Sequence, residues 1–251
     1  CLVMTCNSFH ISVGMPQKYL ITHAYLREMF PASTSVITSC IIVTLLVYIL
    51  IVSLLHGYKS KISVNILAIL LMLWIIFQST LALNGWYTDY RTALPHWLFA
   101  CLVPWTIIVF VFRKTYHFEQ AFQSAILHLL LVCRMGIALI LWQLSVESQL
   151  PKQLTFITII FELIWGVTGT LLAISSIRKS IQPQIKKWWH YAGFTTAIIF
   201  CFLSLLSAPG KWQLLSFDRP NYAFMHFPFV WLPSVVWPIC AWAHLVLAKK
   251  S

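Results

Sequence analysis

Long apolar stretches separated by short polar turns dominate the chain. Seven such stretches occur, at about 34–55, 63–84, 96–112, 123–145, 154–177, 189–208 and 227–247. A helix rises about 1.5 Å per residue, so roughly 20 residues cross the ~30 Å hydrocarbon core of a bilayer. Every backbone amide inside hydrocarbon needs a partner in its own segment, which favours helices. The pattern predicts an all-α bundle of seven transmembrane helices over residues 34–248.

The composition indicates a membrane protein rather than a soluble domain. Hydrophobic residues make up 60% of the 251 residues, charged residues 9%, and the mean hydropathy is +0.82. Soluble domains contain about 25% charged residues, which this chain lacks. The net charge of +11 comes mainly from short turns, where basic residues contact anionic lipid headgroups. We therefore expect the lipid bilayer as a partner, and no nucleic acid, because no basic stripe is interleaved with exposed aromatic residues.

The basic residues also predict an orientation. Ten of them follow the first, third, fifth and seventh predicted spans: Lys59, Lys61, Arg113, Lys114, Arg178, Lys179, Lys186, Lys187, Lys249 and Lys250. Six lie on the other side: Lys18, Arg27, Arg91, Lys152, Lys211 and Arg219. Lysine and arginine favour the cytoplasmic side, so the N-terminus is expected outside and the C-terminus inside. Residues 1–33 would then be an extracytoplasmic segment, with Met4 and Met15 as alternative starts after Cys1.

Two full charges interrupt the apolar stretches. Arg134 lies in the fourth predicted span and Glu162 in the fifth, at similar distances from the polar turn at 147–152. An antiparallel hairpin would place both at similar depth, where an isolated charge costs about 2.5–3.5 kcal/mol. We therefore expect the two side chains to meet inside the bundle. His128 is also intramembrane, but six residues of helix place it on a different face from Arg134, against a different neighbour.

This pair leaves three interpretations open. It is a static brace between two helices, or it is a site where Arg134 binds a small anionic or amphipathic molecule and Glu162 gates it. The third is a proton relay through Glu162 and His128. Binding or transport is the leading function, and a structural or partner subunit without a ligand is one alternative. The chain has no Gly-rich phosphate loop, no GxSxG and no paired carboxylates, so enzymatic activity is not favoured.

Histidines near the ends of predicted spans indicate a second alternative, a membrane redox protein that binds haem or quinone. A bis-histidine haem needs two axial ligands at matching depth on facing helices. His56 and His244 form the best candidate pair of ligands, and His96 and His226 form a second candidate pair at the outer ends of the third and seventh spans. We nevertheless predict no cofactor and no metal site. Retinal is rejected because its Schiff base needs a lysine, and residues 227–247 contain none.

Prolines divide the last predicted span. Pro228, Pro233 and Pro238 are five residues apart, and Pro104 lies within the third span. An internal proline frees a backbone carbonyl and kinks or breaks the helix. Irregular backbone at membrane depth is tolerated where protein covers it or where it lines a cavity. We expect a ligand cavity bordered by the third, fourth, fifth and seventh spans, with Trp231 beside it; the alternative is that the prolines only shape the packing.

Three segments of the chain resemble a group of small bacterial multipass membrane proteins of the Bacteroidetes type. They are FDRPNYAFMHFPFVWLPSVVWPICAWAHL at 217–245, HLLLVCR at 128–134 and LPKQLTFITIIFELIWG at 150–166. The resemblance covers about residues 60–248 and implies the same fold in a bacterial inner membrane, with no assigned activity. The group continues after the position of Arg134 with a proline and a glutamate. Here residues 135–138 read Met-Gly-Ile-Ala, so that acid is missing, whereas the acid at Glu162 is retained.

Overall fold

Helices form all the regular structure in the described part of the chain. The computed structural model describes residues 32–56, 61–88, 96–114, 123–210 and 212–251. The helices are α1 (Thr34–His56), α2 (Lys61–Leu83), α3 (Trp97–Lys114), α4 (Ser124–Val146), α5 (Lys152–Ala173), α6 (Ser175–Ser180), α7 (Pro183–Leu206) and α8 (Trp237–Lys250). Short 3-10 turns lie at Trp86–Thr88 and Ala223–Met225, and a π-helical turn at Leu232–Val236 leads into α8. No strand occurs within these ranges, and the all-α expectation is confirmed.

Six of the described helical segments are long and apolar enough to cross a membrane. They are Thr34–Leu55, Asn65–Leu83, Ser124–Val146, Thr155–Ala173, Pro183–Leu206 and Leu232–Lys250. We call the last of these the last span; it joins the π-helical turn to α8. A shorter apolar helical stretch, Trp97–Ile108, lies in α3. The protein is therefore a multipass helical membrane protein.

Three element boundaries differ from those expected. The fifth predicted span was placed at 154–177, but α5 ends at Ala173 because Ile174 has an extended backbone (φ −73°, ψ 117°). The sixth was placed at 189–208, but α7 begins at Pro183, whose ring pre-sets the first turn. The last was placed at 227–247, but regular helix follows only after the π-helical turn that begins at Leu232. Apolar runs therefore locate a helix in the membrane but do not fix the residues at which it begins and ends.

The last span forms the centre of the bundle. Protein buries 83% of its apolar window, compared with 17% to 50% for the other five candidate spans. It contacts α3, α4 and α7, and α1 touches its π-helical turn. The surrounding helices turn large apolar side chains outward, as Ile69 (58% exposed) and Phe202 (58% exposed) do. Those outer faces suit lipid, whereas the core of the protein surrounds α8.

Two glycines bring α4 and α5 into close contact. A Cβ atom at Gly166 would lie 2.3 Å from Met135 Cγ and 2.9 Å from the Met135 nitrogen. A Cβ atom at Gly169 would lie 2.8 Å from Leu131 Cβ. Small residues allow helix backbones to approach closely in membranes, where apolar packing replaces the hydrophobic effect. This approach sets the distance at which side chains at the middle of α4 and α5 can meet.

The prolines shape a seam between α2 and the last span. Pro238 has no N–H for the carbonyl of Ser234, four residues earlier, and the indole N–H of Trp74 donates to that carbonyl at 3.0 Å. In the other direction, the indole N–H of Trp231, the residue just before the last span, donates to Ser79 Oγ of α2 at 3.0 Å. Pro233 lies in the buried π-helical turn. The expected break at Pro104 is wrong, since α3 runs through it without interruption.

The two ends of the bundle can be named by residues that mark them. The backbone N–H and the hydroxyl of Ser33, just before α1, both donate to the Glu147 carboxylate in the α4–α5 turn. We call this side the Glu147 end. Lys186 lies in the first turn of α7, and we call that side the Lys186 end. Residues 1–31 of the expected N-terminal segment lie outside the described residues.

Candidate intramembrane binding site

Arg134 and Glu162 form a two-pronged ion pair at the middle of α4 and α5. Arg134 Nε donates to Glu162 Oε2 at 2.7 Å, and Arg134 Nη2 donates to Oε1 at 2.8 Å. Both side chains are 0% exposed. Parallel bonds between a guanidinium and a carboxylate are the strongest geometry available to this pair. The expected contact between the two charges is confirmed.

The remaining guanidinium nitrogen is held by two other helices. Arg134 Nη1 lies 3.1 Å from His244 Nε2 in α8 and 3.5 Å from the carbonyl oxygen of Gly193 in α7. Gly193 leaves room for His244, since a Cβ atom there would lie 2.3 to 2.7 Å from three atoms of the imidazole ring. Four helices therefore fix the plane of the guanidinium. The sequence reasoning missed Gly193, although an isolated glycine inside an apolar helical stretch signals a close approach.

A cluster of three histidines extends from Arg134 toward the Lys186 end. His244 Nδ1 lies 3.3 Å from His190 Nδ1, and the rings of His190 and His128 are 5.8 Å apart between centroids. All three rings are buried. Because Arg134 donates to His244 Nε2, a neutral His244 carries its proton on Nδ1 and donates to His190. We call His128, His190 and His244 the histidine cluster.

The histidine cluster partly matches the sequence expectations. His128 does contact a neighbour other than Arg134, as its helical position predicted, and His128 Nδ1 also lies 2.6 Å from the carbonyl of Ser124. His190 was missed, because a histidine near the end of a predicted span is common without any role. Nothing in its local sequence distinguishes it. Only the packing of α7 against α8 brings it to His244.

Two tryptophans enclose His244. The rings of Trp165 and Trp189 lie 5.8 Å and 5.5 Å from the imidazole ring, and they are 4.9 Å from each other. Trp189 is a span-end tryptophan of the kind typical of the aromatic belt at a membrane interface. Here it packs on the site instead. This apolar surrounding keeps water from the His244 side of the guanidinium and strengthens its electrostatic contacts.

The other predicted histidine ligands lie apart from this cluster or outside the description. His244 uses both ring nitrogens on Arg134 and His190, whereas the side chain of His56 lies outside the described residues. His96 stacks on Trp86 at 4.2 Å, and His96 Nδ1 lies 2.9 Å from the Trp86 carbonyl. Burial lowers the pKa of His226, which precedes the last span, to about 4. Among the described residues no three histidine, cysteine, aspartate or glutamate side chains are placed so that they could hold a metal ion together, and haem or quinone binding stays a prediction.

A small pocket with both polar and apolar lining lies between Glu162 and the Glu147 end. Its lining consists of Leu141, Leu150, Pro151, Thr155, Thr158, Phe200, Leu203, Ser204, Ser207, Asn221, Phe224 and Trp237. The cavity of about 20 Å³ has room for a water-sized molecule. Thr155 and Thr158 precede Glu162 by seven and four residues, which places all three on one face of α5. We call this cavity the threonine pocket.

The threonine pocket differs from the cavity expected from the sequence. The helices α4 and α5 border it as predicted, but α7 and residues of the 207–224 connection take the place expected for α3. Pro104, Trp231, Pro233 and Pro238 do not line it, whereas Trp237 of the last span does. This difference has a physical reason. Tryptophan bonds and the π-helical turn satisfy the backbone beside the prolines, so that backbone packs instead of opening a space.

Comparison with protein-family models, with curated proteins and with solved structures gave no match. The resemblance to a group of bacterial multipass proteins therefore stays a prediction. The function of the site therefore has to follow from the chemistry of its side chains. A guanidinium fork holds a carboxylate in a water-poor interior, and that carboxylate belongs to a side chain that can rotate or accept a proton.

Proposed function

We propose that the protein binds a small anion with a carboxylate or a similar two-oxygen group, and moves it across the membrane. Arg134 is the recognising residue. One observation carries the proposal: the Arg134 fork already holds a carboxylate by two bonds, and Glu162 supplies it from a flexible side chain. Arginine is suited to planar two-oxygen groups because its donors form a rigid fork. Glu162 would act as the internal occupant that an incoming anion displaces.

The contacts on the far side of Arg134 support this assignment. His244 and the Gly193 carbonyl hold Nη1, so the fork keeps its orientation when Glu162 leaves. A recognition group that is fixed before its ligand arrives loses little freedom on binding. The adjacent threonine pocket holds only a water-sized molecule as it stands, so it must widen when an anion as large as benzoate binds. An amphipathic anion would place its apolar part against Phe200, Phe224 and Trp237.

Binding to the purified full chain tests the proposal, with benzoate and benzenesulfonate as probes. We expect both anions to bind the wild type and to bind Glu162→Ala more tightly, because the internal competitor is gone. Arg134→Lys keeps the charge but loses the fork, and we expect binding at least tenfold weaker, about 1.4 kcal/mol. Thr195→Ala on the exposed face of α7 is the control and should bind like the wild type.

A second measurement protects the test against poor folding of the variants. Glu162→Ala leaves a buried guanidinium without its carboxylate, so added acetate should raise its thermal stability far more than that of the wild type. The same acetate should not rescue Glu162→Ala combined with Arg134→Leu. If folded wild type and folded Glu162→Ala bind neither probe, and acetate rescues nothing, the proposal is wrong and the pair is a brace.

The proposed transport also needs a topology. We propose seven crossings, with α3 as the third, the N-terminus outside and the C-terminus in the cytoplasm, in a bacterial plasma membrane. The positive charges at the Lys186 end and the contact between Ser33 and Glu147 at the other end support this arrangement. A fluorescent-protein fusion at Ser251 should be fluorescent, and an alkaline-phosphatase fusion there should be inactive. The reverse result would contradict the orientation.

A further inference from the structure

We infer that each anion bound at Arg134 is accompanied by one proton, which Glu162 takes up from the Glu147 end through the threonine pocket. The inference rests on the proposed function and adds a coupling ion and a route. Transport would then be electroneutral at the site. Such coupling depends on the charge at the site, on the group that accepts the proton, and on the path by which the proton arrives.

The charge at the site is balanced before the ligand binds. Arg134 and Glu162 carry opposite charges, and both are 0% exposed. An anion that takes the place of Glu162 leaves two negative charges beside one positive charge in the low-dielectric interior of the bundle. Burying an unpaired carboxylate is costly, and the group responds by accepting a proton. One proton per monovalent anion restores the original charge.

Glu162 is the group that can accept this proton. The charged and titratable groups around the pair and the histidine cluster are Arg134, Cys133 and His128 from α4, Lys186 and His190 from α7, and Cys240 and His244 from α8. Arg134 Nη1 already donates to His244 Nε2 at 3.1 Å, and the other ring nitrogen of His244 faces His190 at 3.3 Å, so the histidine cluster has no ring nitrogen that faces the Glu162 carboxylate. A displaced Glu162 is itself the anion that has lost its partner.

Arg134 also separates the two sides of the site for protons. Its guanidinium keeps its proton in a protein and cannot pass one from the histidine cluster to the carboxylate. The proton must therefore reach Glu162 from the other side. That side is the face of α5 that carries Thr158 and Thr155, one and two turns away, and leads to the threonine pocket.

The threonine pocket has the chemistry of a water-filled route. Polar residues are part of its lining, namely Thr155, Thr158, Ser204, Ser207 and Asn221, and its space fits a water-sized molecule. A buried water needs two to four polar partners, which these groups can offer. A hydronium ion at the pocket would transfer a proton to a Glu162 carboxylate oxygen. The O–H bond of the acid forms, an O–H bond of the hydronium breaks, and a neutral water remains.

Calorimetry with benzenesulfonate tests the stoichiometry, because this probe stays anionic and cannot bring the proton itself. Titrations of the full chain in two buffers with different ionisation heats give the number of protons taken up. We expect one proton per anion, and an affinity for benzenesulfonate that falls about tenfold for each unit by which the pH is raised. Glu162→Gln should bind the probe with no proton uptake and no dependence on pH.

The controls separate this inference from the proposed function. His96→Gln changes a half-buried histidine away from the site and should leave the uptake at one proton. Uptake that is lost in His190→Gln but kept in Glu162→Gln would overturn the inference by moving the acceptor to the histidine cluster. Binding without proton uptake would overturn it while the proposed function stands. No binding of either benzoate or benzenesulfonate by folded protein would overturn the proposed function itself.

Cysteine labelling tests the route independently. In a full chain with its seven native cysteines replaced, Thr158→Cys should react with a small water-soluble methanethiosulfonate. Ile157→Cys is the matched control, since Ile157 is the preceding residue on α5 and is 49% exposed toward lipid. We expect labelling at least tenfold faster at 158 than at 157. If the cysteine-free chain does not fold, Thr158→Val in the native chain should slow proton uptake at least tenfold. Equal rates in either comparison would overturn the route.

Discussion

Replacing Arg134 and Glu162 singly and together gives the sharpest measure of the ion pair. Arg134→Leu leaves a buried carboxylate without its two donors, and Glu162→Gln leaves a buried guanidinium without a neutralising charge. Removing one partner of a buried pair costs about 3–5 kcal/mol, since the other charge stays behind. Both side chains are fully buried here, so solvent gives no relief. We expect each single variant to lose about that amount of unfolding free energy.

The double variant leaves no orphaned charge between α4 and α5. It still loses the contacts of Arg134 with His244 and Gly193, so it should remain less stable than the wild type. Its loss should nevertheless fall short of the sum of the two single losses by at least about 2 kcal/mol, within the usual coupling range of contacting residues. Reversible unfolding in mixed micelles, followed by circular dichroism, measures all four proteins. Thr195→Ala should change stability by no more than about 0.5 kcal/mol.

Two results would refute this reasoning. Single variants that lose less than about 1 kcal/mol would mean that water or lipid headgroups reach the pair. A double variant whose loss equals the sum of the single losses would mean that the two side chains do not act on each other. The stabilities of these four proteins measure only how strongly Arg134 and Glu162 stabilise the contact between α4 and α5. Anion binding, tested separately, decides whether it is also a site.

Three further predictions concern neighbouring features. Gly193→Ala should cost about 1–3 kcal/mol, because its Cβ would overlap the His244 ring; unfolding in micelles measures the loss. Trp74→Phe should cost about 1–3 kcal/mol, because the carbonyl of Ser234 loses its donor; the same unfolding assay applies. His226 is neutral when folded, since burial lowers its pKa to about 4, so stability should be full above about pH 6.5 and fall between there and about pH 4. His226→Gln should remove that fall.

Each of these predictions has its own control. Trp142 is 56% exposed on the outer face of α4, so Trp142→Phe should leave stability nearly unchanged. A smaller side chain at 244 should relieve the overlap, so Gly193→Ala combined with His244→Ala should lose less than the sum of the two single losses. If the wild type keeps its full stability down to about pH 4, burial does not hold His226 neutral.

The contact between Arg134 and Glu162 could be predicted from the sequence because hydrocarbon penalises charge so strongly. Two charges equidistant from one turn have few arrangements other than facing each other. His190, Gly193 and the role of His244 could not be found in this way. Their positions are compatible with an interface or with simple packing, and only the placement of α7 against α8 gives them partners.

The central position of the last span also escaped the sequence reasoning, although the sequence contains a signal for it. Its mean hydropathy of 1.3 is the lowest of the six candidate spans, and its buried share of 83% is the highest. A helix that faces lipid on most sides must be apolar all round, whereas one surrounded by protein can carry Ser234 and His244. A low mean hydropathy in a long span therefore indicates that protein, and not lipid, surrounds the helix. The prolines drew attention to the same segment for a different reason.

The order of synthesis gives the central helix a biological consequence. Ribosomes deliver the N-terminal spans first, so the five outer candidate spans enter the bilayer before the segment around which they pack. Until that segment is inserted, the outer helices lack the central helix on which they pack, and the indole of Trp74 lacks its acceptor, the carbonyl of Ser234. A premature stop codon shortly before residue 232 would therefore remove less than a tenth of the chain. The truncated protein would nevertheless lack the helix around which the others pack, and quality-control proteases would degrade it.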